Sequence, residues 1–221
     1  MKKLLFLVAL LIPAGFCSEA QTYAPTTAWP FLYEDFRQGT VFFADGGRSQ
    51  DRLLNVHLLH VTLWHRDGGE LLLSDPKGIE RVAIGADTFI YMNGQLARLV
   101  HARGEIGLVE LVKGNFNALT APATGAYGMN TQSSSAQIQT SIGQINYAQA
   151  RLGEAAGRRL PLTRDFYFLF GDKIVRATRK EMEKAVPKEN LPQLRSFIKT
   201  NRIRWDEAES LARFFDFFVY E

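Results

Sequence analysis

Four histidines are the side chains of this sequence best suited to hold a metal or carry a proton: His57, His60 and His65 close together, and His101 further on. A metal site needs several neutral imidazoles or carboxylates converging on one point. On extended backbone His57 precedes a turn and His65 stands beside Asp67, so nothing in the spacing forces convergence. No His-Glu-x-x-His helix is present and no further carboxylate sits at ligand spacing. The expectation is histidines on strand surfaces, with no metal and no cofactor.

Carboxylate pairs occur at Glu34-Asp35, at Glu80 and Asp87, and at Asp206-Glu207. A glycosidase needs two carboxyls facing each other across a cleft, roughly 5 to 10 Å apart, and most of these residues already serve turns or helix starts. His65-Arg66-Asp67 spells the catalytic-loop triplet of protein kinases, but the glycine-rich loop with its strand lysine and the Asp-Phe-Gly are missing. No Gly-x-Ser-x-Gly elbow, phosphate loop or dinucleotide fingerprint appears. The serines at 133–135 read as loop and not as nucleophiles. No catalytic, cofactor-binding or metal residue is therefore assigned. The leading reading is a non-enzymatic protein that binds another protein or a cell-envelope component. The alternative is a hydrolase or glycan-active enzyme whose site assembles only in three dimensions.

The chain opens Met1-Lys2-Lys3, continues without charge through Phe16, and reaches small residues at Ser18 and Ala20. That is the pattern of a secretory signal peptide over residues 1–20. The apolar run is too short to span a bilayer, which takes about 20 residues. An acyl anchor on Cys17 is the rival reading, opposed by the bulk of Phe16 where a small residue is wanted. Cleavage after Ala20 leaves 201 of the 221 residues and removes the single cysteine, so stability must come from an ordinary core. The expected location is the periplasm or the exterior.

Charge points to no special partner. Of 26 basic and 23 acidic residues, Lys2, Lys3 and Glu19 leave with the leader, so 24 and 22 remain. This is no nucleic-acid footprint.

The elements that would position any site follow from hydrophobic alternation and turn chemistry. An arm rich in proline and aromatics (Tyr23, Trp29, Phe31, Tyr33, Phe36) occupies 21–37 and is expected to lie across the sheet. Eight strands are predicted at 40–43, 53–59, 61–65, 70–73, 80–84, 88–92, 95–101 and 106–112, with Asn93-Gly94 the strongest hairpin signal. They make an antiparallel β-meander over 38–113, closing as a barrel or curled sheet. A low-complexity excursion covers 114–164 and is read as weakly ordered in part.

Residues 165–221 hold a hairpin turning at Gly171-Asp172 and three helices. The first is capped by Thr178 with Glu181, the second runs 191–200, and the third is capped by Asp206 with Glu209. The hairpin is expected to group with the helices, with addition to the main sheet as the alternative. Phe214, Phe215, Phe217, Phe218 and Tyr220 are read as buried between sheet and helix, the other possibility being an interaction patch. The fold class is thus α+β.

Tyr33-x-x-x-Phe36-x-x-Gly39-Thr40-Val41, Asp75-Pro76 leading to Val82-x-Ile84-Gly85-x-x-x-Phe89, Ala126-Tyr127-Gly128 and Phe197-Ile198-Lys199-x-Asn201 occur in that order. This order resembles uncharacterised secreted proteins of Bacteroidetes-type bacteria. The resemblance implies export and no particular chemistry. Expressed with its native start, the exported product should begin at Gln21 by N-terminal sequencing; a cytosolic product beginning at Met1 would defeat the assignment.

Overall fold

The computed structural model describes residue 23, residues 25–26, 30–115 and 159–218. The leader, Trp29, the Ala126-Tyr127-Gly128 motif, the serine run and Tyr220 lie outside the described residues. Ten strands form one antiparallel sheet: β1 (Arg37–Phe43), β2 (Arg48–His57), β3 (Thr62–Asp67), β4 (Glu70–Leu73), β5 (Ile79–Ile84), β6 (Asp87–Met92), β7 (Gln95–Arg103), β8 (Ile106–Gly114), β9 (Leu162–Phe170) and β10 (Lys173–Arg176). Their order is β10-β9-β8-β7-β6-β5-β1-β2-β3-β4. The end strands β10 and β4 do not pair, so the sheet is not a closed barrel. The fold is an α+β antiparallel meander.

Turn chemistry sets most of the hairpins. Asn93 and Gly94 both take positive φ (50° and 76°), the pairing that a two-residue hairpin between right-twisted strands demands. The β2–β3 connection is different. It has no glycine, and Val61 carries φ 57°, a costly conformation for a β-branched residue. What holds it is burial and long-range bonding. Leu58 and Val61 are buried. The Val61 carbonyl accepts from Leu96 N–H at 2.9 Å and the Leu58 carbonyl from Gly114 N–H at 2.9 Å. The sheet therefore curls far enough for this turn to meet the start of β7 and the end of β8. Sequence alternation assigns residues 58, 59 and 61 to strands; the structure makes them this buried turn.

The arm extends the sheet as well as lying on it. Leu32 N–H donates to Val56 O at 2.8 Å and Leu58 N–H to Pro30 O at 2.7 Å, so residues 30–32 run beside the end of β2. Phe31 bridges to His57.

Two apolar clusters result. One gathers Leu32, Tyr33, Val41, Leu54, Val56, Val82, Ile84, Phe89 and Leu96 within the curl. The other lies between β8–β10 and the helices. These are α1 (Arg179–Ala185), a 3-10 turn (Lys188–Asn190), α2 (Leu191–Thr200), α3 (Ala208–Ala212) and α4 (Phe214–Phe218).

Thr178 caps α1 by accepting from Glu181 N–H at 3.4 Å, while the Glu181 side chain pairs with Lys184 at 2.7 Å and does not close the box. Asp206 and Glu209 form no box either: Glu207 is the cap residue, without a side-chain bond. The predicted last helix is split at Arg213 into α3 and α4. Phe214 and Phe215 are buried, and Phe217 and Phe218 are partly buried against Phe197, Phe168 and Phe170.

The 162–176 hairpin joins the main sheet, since β9 pairs with β8 from Ile106↔Phe170 to Gly114↔Leu162, and the helices pack on it. Strand β9 begins at Leu162, inside the stretch predicted as excursion.

Strand β1 runs between β5 and β2, and Gly39 is where the packing is closest. A Cβ there would lie 2.3 Å from the Ala83 carbonyl oxygen and 2.7 Å from Leu54 Cδ1. Backbone cannot give way cheaply, so Gly39→Ala should lower the unfolding free energy by about 1–3 kcal/mol, read as a reduced urea midpoint at unchanged slope.

Candidate functional site: a charged row inside the sheet

Cross-strand register aligns one transverse row: Val41 opposite Val82, Val82 opposite Phe89, Phe89 opposite Arg98, Arg98 opposite Glu110, and Glu110 opposite Phe166. Residues in direct register share a face, and those two positions along a strand share it too. Asp87 on β6 and Arg164 on β9 therefore stand on the same face as Arg98 and Glu110. An otherwise apolar surface thus carries a compact charged group.

Glu110 is only 2% exposed. Its Oε2 accepts from Arg98 Nη2 at 2.7 Å and Nε at 3.2 Å, and its Oε1 from Arg164 Nη1 at 3.2 Å. Asp87, also buried, accepts from the Tyr33 hydroxyl at 2.7 Å and lies 3.9 Å from Arg98 Nη1. The arm covers this group. Arg98 sits over the Tyr23 ring at 3.7 Å and Arg37 over the Tyr33 ring at 3.8 Å, and the two tyrosine rings meet edge to face. The Arg37 Nη1 is buried without a hydrogen-bond partner.

The electrostatics follow from burial and these partners. Burial, then the Glu110 charge, pushes the Tyr23 hydroxyl far up from its ordinary value. Burial and the bond to Asp87 do the same to Tyr33. Burial works against the Arg98 charge, and the bond and charge of Glu110 more than offset it, so the guanidinium is held above its usual value. In Tyr23, Tyr33 and Arg98 alike, proton affinity moves away from neutrality. Two hydroxyls that stay protonated and a guanidinium that stays charged can position and neutralise; they cannot act as a base or nucleophile near pH 7.

The histidines do not come together. His57, at the end of β2, is fully buried between Phe31 (ring centroids 5.0 Å apart) and Trp64 (5.7 Å), and neither ring nitrogen has a partner. His60 is exposed in the turn. His65 on β3 bonds Ser74 Oγ through Nδ1 at 2.9 Å. His101 on β7 packs its ring against Phe215 at 4.4 Å. Among the described residues no group of three or more His, Cys, Asp or Glu side chains could hold a metal ion. Burial of His57 contradicts its expected place on a strand surface; the aromatic arm that covers it is the reason.

Nor do the carboxylate pairs singled out in the sequence converge. Glu34 and Asp35 are exposed in the arm, Glu80 is exposed on β5, and Glu207 pairs with Arg204. Only Asp87 belongs to the buried group. Glu110 and Arg98 escape a motif search, yet a signal exists: Glu110 is the one charge in the apolar run 106–112, and Arg98 the one charge in 95–100.

No protein-family model, curated protein or solved structure matches the chain.

Burial lowers the His57 pKa from 6.5 to about 4, with the charge of His60 adding to the effect. As pH falls below 6.5 the unfolded chain takes up a proton that the folded one refuses until about pH 4. Stability contributed above pH 6.5 is thus lost across that window, by about 3 kcal/mol for this group. His57→Phe should flatten the fall, measured as the difference between wild type and variant in urea unfolding at pH 7 and pH 4.5.

Proposed function

We propose that the chain is an exported, non-enzymatic binding protein that engages another protein or a component of the cell envelope. Residues 1–20 support export through their charge and apolar pattern, as does the resemblance to secreted proteins. The observation that carries the non-enzymatic part is the closed pairing of the charged row. Both Glu110 oxygens accept from arginines, and Asp87 is held by Tyr33 beside Arg98. The tyrosine hydroxyls next to them are driven away from ionisation. Such a set is suited to holding β6, β7, β8, β9 and the arm in one arrangement, which a recognition surface requires.

A depression beside β10 and α1, lined by Tyr167, Lys173, Arg176, Glu181 and Lys184, has its carboxylate occupied by Lys184. Arg176 pairs with Asp165. A hydrolase needs an unpaired acid or base facing a cleft, and neither place supplies one among the described residues.

The test is direct. The secreted chain should co-sediment with isolated envelope fractions and turn over nothing in a panel of glycans, peptides and esters. Glu110→Gln should weaken stability, since it leaves two guanidinium groups without their anion, and should create no change in the panel. Turnover by wild type that is abolished in folded Glu110→Gln would overturn the reading in favour of the hydrolase.

A further inference from the structure

The two ends of the sheet are treated differently. Strand β10 carries Lys173 and Arg176, and α1 follows it directly. Charges on an edge strand oppose pairing with another chain. Strand β4 reads Glu-Leu-Leu-Leu, with no lysine and no proline. Leu72 and Leu73 are each 39% exposed, and Leu53, two strands in, is 37% exposed. Three of the four exposed large apolar side chains of the described residues thus lie at this end.

The backbone of that edge can be assigned. Ser74 N–H donates to Leu63 O, and β4 pairs with β3 in the register His65↔Leu72 and Asp67↔Glu70. Bonding along an antiparallel strand alternates. Glu70, Leu72 and Ser74 therefore bond inward, while Leu71 and Leu73 turn their N–H and C=O groups outward. These are the donors and acceptors of a strand awaiting a neighbour.

We propose that the neighbour is a second copy of this chain, its β4 antiparallel to the first about a two-fold axis through Leu72. In that register Leu72 faces the partner's Leu72, Leu71 faces the partner's Leu73, and Glu70 faces the partner's Ser74. The outward groups of Leu71 and Leu73 then make four backbone bonds. Leucine meets leucine at every central position, and the one acidic side chain meets a hydroxyl. Moving the axis to Leu71 sets Glu70 against the partner's Leu72, and moving it to Leu73 sets Leu71 against the partner's Asp75. The sequence is thus self-complementary in one register, as an isologous interface must be. The pairing is independent of whatever the protein binds elsewhere. So short an interface lies below the standard size, and the expected dissociation constant is on the order of 100 μM.

Sedimentation velocity of the secreted chain from about 10 μM to about 1 mM should show monomer passing to dimer. Leu72→Lys sets like charges face to face and should weaken association at least about tenfold with an unchanged melting midpoint. Mixing it with Leu72→Glu should restore a heterodimer. Directly opposed non-bonded residues stand about 4.5 Å apart, within disulfide reach. Leu72→Cys with Cys17→Ser should therefore cross-link on mild oxidation, and Ile174→Cys on the other edge should not. This second measurement decides the matter if the charged variants fail to fold. Wild type that stays monomeric at about 1 mM, a Leu72→Lys chain that dimerises like wild type, or equal cross-linking from both cysteine positions would each overturn the proposal. So would binding of an extended apolar peptide at β4 with no self-association.

Discussion

A carboxylate cannot be buried in the middle of a strand unless its charge is answered, and Glu110 sets that condition for the whole sheet. Its two oxygens take one arginine from each neighbouring strand, Arg98 on β7 and Arg164 on β9. Removing Arg98, the more buried of the two, would leave the Glu110 charge answered only by the half-exposed Arg164 and so destabilise the sheet. The three strands are thereby fixed in register and not merely in order. Arg98 then stacks on Tyr23, and Asp87, close to Arg98, takes the Tyr33 hydroxyl. The arm is tied to the same group that aligns the strands.

The curl has a second requirement at its far end. The β2–β3 turn bonds to Leu96 and Gly114, residues on strands four and five positions away from β2 in the sheet order. Val61 accepts a strained backbone so that its carbonyl can reach there. The curl is thus tied at this turn, while the ion pairs hold β7, β8 and β9 in register. The aliphatic cluster fills the curl, and the sheet stops short of a barrel because β4 and β10 do not pair with each other.

The strands were largely legible in the sequence because their signals are local. Asn93-Gly94 announces its turn by the φ values it permits, and alternation marks the segments on either side. The α2 helix, with Pro192 in its first turn and Leu194 and Ile198 buried on one stripe, was equally plain. What was not legible depends on contacts distant in sequence. The 58–61 turn looks like strand because its apolar residues are buried by β7 and β8. His57 looks like a surface histidine until Phe31 and Trp64 enclose it. Splitting of the last helix at Arg213 has no breaker residue behind it. The charged row needed the register of six strands, and only the anomaly of a lone charge in each of two apolar runs hinted at it.

The sheet order places the first strand, β1, between β2 and β5, with three strands to one side of it and six to the other. Growth of the sheet cannot then follow the chain from one margin to the opposite margin. The β1–β2 ribbon assembles from neighbours, but its other flank waits until residues 79–84 have arrived, after the β3–β4 ribbon has been laid down outward. That closure joins segments some forty positions apart, and the Val61–Leu96 and Leu58–Gly114 bonds join others of similar or greater separation. Loops of this length are slow to close. During that interval β1 presents an unpaired flank, and the acquisition of shape is paced by β5 reaching it.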